Sequence, residues 1–211
     1  MSPPELEGLC EIAASFYARG YAFGSTGNLS VRLEDKVWIT PTGVSLRRLK
    51  PEHLACIGLD GQSLNGNRPS KEFPFHLGAY RSAGERAGAI VHLHSTHCVA
   101  LSCLRDLDPQ RPLPAMTPYF LMRVAPLAMV PYFRPGSPEL AEAVTAAAVD
   151  HDAILLRNHG CICLGKTLAE AVDRTEELEE TARLYFLLRG ERTSELTREQ
   201  QDEIWRVFRS R

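Results

Sequence analysis

A chain of 211 residues with 44% apolar and 8% aromatic side chains can bury a core of its own, and the length suits a single α/β domain over 1–211. Lysine plus arginine total 24 against 26 for aspartate plus glutamate, a net charge of -2, so no global positive field exists to attract nucleic acid or an anionic membrane, and any anion must be bound locally. The six cysteines include no CxxC pair, the start MSPPELEGL lacks the flank and apolar stretch of a signal peptide, and no apolar run approaches the ~20 residues of a membrane span, so reduced thiols and a cytoplasmic location are expected.

From Glu5, the residues Leu6, Leu9, Cys10, Ala13, Phe16 and Tyr17 recur at helical spacing, and Gly20 suits the end of that helix. GSTGNLSVRL and DKVWITPTG read as short strands, each attached to a glycine-containing turn, 24–28 and 40–43. A second helix is expected to start near Ser70 and run through Lys71, Glu72 and Phe73 towards Tyr80, with Pro74 tolerated in its first turn. AGAIVHLH is the clearest strand, followed by two more apolar runs, TPYFLMRV and LAMVPYF. Ser137-Pro138-Glu139 carries the cap, proline and acid of a helix start. AILLRNHG and CICLG read as strands. Thr167 and Glu170 fit the capping box of a long helix whose apolar positions reach Leu188, and a last helix is capped at Thr197. Strands gathered in the middle with helices on both sides indicate an α/β layered domain, not a regular βαβ alternation.

His92 and His94, two apart on a strand, share one face and can grip one metal, although two hydrogen-bonded core histidines would read the same way. His159 ends another apolar strand, and Gly160 after it lets the backbone turn beside a bound group. Three imidazoles at strand ends leave a fourth position open, as catalytic zinc sites do. His97 lies an odd number of residues from both strand histidines and is expected to hydrogen-bond near the site, not to ligate. Glu72 at a helix start is either a cap or, if its turn faces the metal, a ligand or acid/base. Ser25-Thr26-Gly27-Asn28, Thr40-Pro41-Thr42-Gly43 and Ser70-Lys71 offer backbone N–H groups and hydroxyls which, converging, would cradle an anion.

TGNLS (26–30), TPTG (40–43), SKE (70–72), HLHSTH (92–97) and NHG (158–160) stand in the order and spacing of the class II aldolase family typified by L-fuculose-phosphate aldolase, which the chain resembles from about Glu5 to Gly190. The resemblance implies a central, mostly antiparallel sheet flanked by helices and a divalent metal, zinc or another such as Mn2+, on His92, His94 and His159. It also implies that Glu72 is the acid/base, that Asn28, Thr42, Gly43, Ser70 and Lys71 hold a substrate phosphate, and that a homotetramer carries its sites at subunit boundaries. Within the family, PSKEFPFHLGAY, LPAMTPYFLMRV and VPYFRPGSPELAEAV look most like the 3-oxo-tetronate 4-phosphate decarboxylases, which yield dihydroxyacetone phosphate and carbon dioxide. The tail after Tyr185 has Trp205 and Phe208 but no tyrosine, unlike the aldolases, which leaves Tyr119 as a proton donor, although its ordinary reading is core packing.

A β-keto acid loses carbon dioxide when the electrons of the breaking bond flow into the ketone, leaving an enediolate that a metal stabilises. Retro-aldol cleavage needs the same species, so a sugar-phosphate aldolase is the second reading. A non-catalytic adducin-like interaction module is the third, and retention of His92, His94, His159 and Glu72 together argues against it.

Overall fold

Alternating apolar side chains on the strands decide which helices cover which face of the sheet. The structure is a computed structural model that describes residues 3–208. Its strands are β1 (Asn28–Leu33), β2 (Lys36–Ile39), β3 (Ala55–Gly58), β4 (Ala89–Leu93), β5 (Leu127–Val130), β6 (Ala153–Leu156) and β7 (Gly160–Gly165). They form one sheet in the order β3-β2-β1-β4-β7-β6-β5. Neighbours are antiparallel except β5 and β6. That parallel pair needs a crossover, which helix α4 (Pro138–Ala147) supplies. The mostly antiparallel sheet flanked by helices is the architecture the motifs implied.

On β4, Ile90 faces α2 (Phe73–Ala83) and α4, whereas Ala89, Val91 and Leu93 face α1 (Pro4–Ala18). Both faces are therefore covered, and β4 is buried along its whole length, as its near-continuous apolar sequence requires. A third apolar cluster joins α3 (Thr96–Ser102), α5 (Leu168–Leu187) and the inward side of β6, with Ile204 and Trp205 of α6 (Arg198–Phe208) packed against it. Ser137 Oγ accepts the Leu140 N–H at 3.3 Å and Thr167 Oγ the Glu170 N–H at 3.2 Å, so the expected side-chain caps start α4 and α5. Among the described residues no helix is long and apolar enough to cross a membrane.

Two local features differ from expectation, and a third element, α3, had no expectation attached. Helix α2 starts at Phe73, with Glu72 as its N-cap residue, because the Ser70 N–H is donated to the Thr40 carbonyl at 3.0 Å and Ser70-Lys71 stay in the preceding turn. Of the two apolar runs after β4, LAMV forms β5, but Phe120–Val124 coils as a π-helical turn. Its buried residues Phe120, Leu121 and Val124 have helical spacing, not strand alternation. Finally, the chain after His94 does not continue as a strand. Ser95 stands at the N-cap position of α3, which carries His97 away from the face of His92.

Candidate metal centre and substrate pocket

His92 shares the face of Ile90 and so points beneath α2, where its ring meets that of Phe75 edge-on at 5.4 Å. Its Nδ1 hydrogen-bonds the Cys161 carbonyl at 2.9 Å, so Nδ1 carries the proton and the Nε2 lone pair faces the cluster. His94, just past the strand end, brings its Nε2 to 3.1 Å from that of His92. His159 sits in the turn between β6 and β7, its ring centroid 4.9 Å from that of His92 and 4.8 Å from that of His94. Glu72 reaches in from the end of α2, with Oε2 3.4 Å from His92 Nε2 and Oε1 3.4 Å from His159 Nε2. One ligand atom from each of the four lies within 4.8 Å of all the others.

This donor set fits a divalent cation on evidence internal to the site. Glu72 Oε1 and both ring nitrogens of His159 are buried with no hydrogen-bond partner. Each such orphan costs about 1–3 kcal/mol, and a cation held by these side chains would satisfy Glu72 Oε1 and one nitrogen of His159. Burial, reinforced by the neighbouring His92 ring, lowers His94 to about 3 and His159 to about 4, so both are neutral near pH 7 with lone pairs to offer. Burial alone would raise Glu72. The neighbouring rings of His92 and His159, with the hydrogen bond from the Asn28 amide, outweigh it and hold the carboxyl well below the usual carboxylate range.

Asn28, Thr42, Gly43, Ser70 and Lys71 line one cavity of about 340 Å3, into which Glu72, His94 and His159 also open. The Ser70-to-Thr40 hydrogen bond and a bridge between Pro41 and Pro69 tie the second and third anion loops together. Lys71 stands at the wall where Gly136 packs on its carbonyl, and a Cβ at that glycine would lie 3.2 Å from the oxygen. The close approach brings Pro135 into the pocket.

Other expected residues lie elsewhere. His97 hydrogen-bonds Glu179 Oε1 through Nδ1 at 2.8 Å and takes no part in the cluster. Tyr119 is 56% exposed, so it is not a core residue, and it lines a separate shallow cleft with Tyr21, Arg123 and Glu176. The turn before Gly160 is made by Asn158 at φ 55, not by the glycine. Gly160 is required for a different reason: a Cβ there would fall 2.3 Å from the Leu93 carbonyl oxygen and 3.3 Å from His94 Cα. Two groups escaped the sequence reading. Buried His76 stands behind Asn28 at 2.5 Å, signalled only by its spacing of four from Glu72. Buried Glu179 accepts from Ser95 Oγ and from the His97 and Cys98 N–H groups, and nothing in the run EELEE marks it out.

The model for the class II aldolase and adducin N-terminal domain matches residues 7–186. A 3-oxo-tetronate 4-phosphate decarboxylase of Haemophilus influenzae is 50% identical over 190 residues, 90% of each chain. An L-fuculose phosphate aldolase of Methanococcus maripaludis is 39% identical over 184 residues, 87% of this chain and 97% of that one. The crystal structure of Escherichia coli YgbL, a candidate aldolase/epimerase/decarboxylase, has a TM-score of 0.92 at 44% identity and covers 94% of this chain and 96% of that one.

Proposed function

Because the chain belongs to the class II aldolase and adducin family, we propose that it is a carbon-carbon lyase that converts 3-oxo-tetronate 4-phosphate to dihydroxyacetone phosphate and carbon dioxide. One observation carries the reading: a cluster of three imidazoles and a carboxylate with orphaned ligand atoms opens into the same cavity as the anion loops. The substrate phosphate lies against the backbone and hydroxyls of Thr42, Gly43 and Ser70, with Lys71 supplying charge and the second amide N–H of Asn28 a further donor. This anchors the sugar acid with its ketone towards the imidazoles.

His92, His94 and His159, with Glu72 close enough to join them, hold a divalent cation, and zinc suits the nitrogen-rich set. When bound, it supplies a Lewis acid that draws electron density from the substrate ketone. Departure of carbon dioxide leaves its electron pair in the ketone system, and the adjacent carbon must then gain one proton. Glu72 Oε1 is the atom suited to take up and pass on that proton: the carboxylate is ionised at rest and Oε1 has no hydrogen-bond partner. Tyr119 would reach a reacting centre only from a neighbouring subunit, in keeping with a four-fold tetramer whose sites lie at subunit boundaries. The six free cysteines suit a reducing cytoplasm.

The test incubates zinc-loaded protein with both epimers of 3-oxo-tetronate 4-phosphate and detects dihydroxyacetone phosphate and carbon dioxide in equal amounts. The similarity to a fuculose phosphate aldolase supports the second reading, a sugar-phosphate aldolase. Condensation of dihydroxyacetone phosphate with an aldehyde, without decarboxylation, would establish it instead.

A further inference from the structure

Helix α2 and strand β1 face each other across a buried polar seam of which the reaction described above uses only the end formed by Glu72 and Asn28. Glu72, His76 and Tyr80 stand four residues apart along α2, and Asn28 and Ser30 two apart along β1. Four residues of helix rise about 6 Å and two of strand advance about 6.6 Å, so the two rows stay in step. The side chains interleave in one line. Asn28 Nδ2 donates to Glu72 Oε2 at 2.9 Å, and Asn28 Oδ1 lies 2.5 Å from His76 Nε2. His76 Nδ1 lies 2.8 Å from Ser30 Oγ, which is 2.7 Å from the Tyr80 hydroxyl. Ser30, His76 and Tyr80 have no exposed surface, and Asn28 is 3% exposed.

Satisfying every group leaves one arrangement of protons. A carboxylate only accepts, so the amide nitrogen of Asn28 must face Glu72 and its oxygen must face His76. His76 therefore carries its proton on Nε2 and accepts at Nδ1 from Ser30, which accepts in turn from Tyr80. Burial lowers His76 to about 3, which keeps the ring neutral and compatible with this order. Every donor points along the line towards the carboxylate, and hydrogen bonds aligned in this way polarise one another.

The structure assigns His76, backed by Ser30 and Tyr80, as a positioning residue that acts through Asn28 to fix the Glu72 carboxylate, hydrogen-bonding Oε2 and leaving Oε1 without a hydrogen bond beside His159. The assignment rests on the reading of Glu72 as the proton-handling group. It also makes Asn28 first a holder of Glu72 and only through its remaining N–H a contact for substrate.

The test has two arms. In resting protein, 15N-histidine NMR at pH 7 should give His76 as the Nε2–H tautomer; an Nδ1–H tautomer or an imidazolium would overturn the assignment. In turnover, His76→Leu should lower kcat about tenfold or more with KM within about twofold, and His76→Gln, which restores a donor to Asn28, should recover most of the loss. In a Glu72→Gln background, His76→Leu should cost no more than about a further twofold, because the group it positions is already lost. Losses that multiply across the two sites would reduce His76 to a packing residue and overturn the proposal. Should His76→Leu fail to fold by circular dichroism, Ser30→Ala takes its place: His76, still facing the Asn28 oxygen, should stay the Nε2–H tautomer while kcat falls with KM kept, and an unchanged kcat overturns the chain. Wild-type protein inert towards 3-oxo-tetronate 4-phosphate would refute the functional reading, while the tautomer arm still decides the seam.

Discussion

At Glu72 the two carboxylate oxygens have different neighbours, Oε2 held by Asn28 and Oε1 beside His159 with no hydrogen-bond partner. Glu72→Gln keeps the shape and an oxygen but loses the charge. We expect zinc to stay largely bound and kcat to fall at least about a hundredfold, the usual scale for a general acid/base; unchanged turnover would remove Glu72 from proton handling. His94→Ala deletes one of three imidazoles, and elemental analysis should find most of the zinc gone. Full occupancy in that variant would mean the cluster is not the metal site. At Ser70, Oγ already accepts the Glu72 N–H at 3.3 Å and still has its own proton to donate into the cavity. A hydrogen bond to a charged group is worth roughly 1.5–3 kcal/mol, so Ser70→Ala should lower kcat/KM about tenfold to a hundredfold for the phosphorylated substrate. The unphosphorylated analogue should be far less affected. Equal losses on both would put the phosphate elsewhere.

At the scale of elements, Glu179 joins α5 to the start of α3, the segment that follows His94. Its carboxylate accepts from Ser95 Oγ at 2.6 Å, from the His97 and Cys98 N–H groups at 2.9 Å each, and from His97 Nδ1. Burial would raise this carboxyl, but those hydrogen bonds outweigh burial and lower it below its ordinary value. The sign follows from linkage: a depressed folded pKa gives stability that is fully present above the unfolded value of about 4.3 and is lost as pH falls through the lower folded value. Glu179→Gln should thus cost about 1–3 kcal/mol at pH 7, and the gap to wild type should close below about pH 4 in thermal melts. A gap independent of pH would mean that shape, not charge, holds α3.

At the scale of the whole molecule, one protomer leaves Phe23, Tyr119 and Tyr132 more than half exposed, at 51%, 56% and 58%. Large exposed aromatics are the side chains that association covers. Light scattering is expected to give four chain masses, and activity per chain should fall on dilution if Tyr119 serves a neighbour's site. A fully active monomer would confine the reaction to the residues of one chain.

Periodicity and turn chemistry, both local, determined most of the elements from the sequence: the apolar spacing of α1, the caps of α4 and α5, and the alternation that sets His92 and His94 on one side of β4. The order of the motifs carried the family. What local signals could not contain was decided by the sheet. His159 meets His92 because β7 pairs with β4, bringing together residues far apart in the chain. Gly160 is needed at a backbone contact between those strands, not for its own turn, and α3 was hidden because its first N–H groups are held by an acid from α5. Glu179 and His76 look like any acid in a helix or any histidine beside a phenylalanine until tertiary packing buries them. A buried polar group must find partners, and only the fold determines which groups stand close enough to serve.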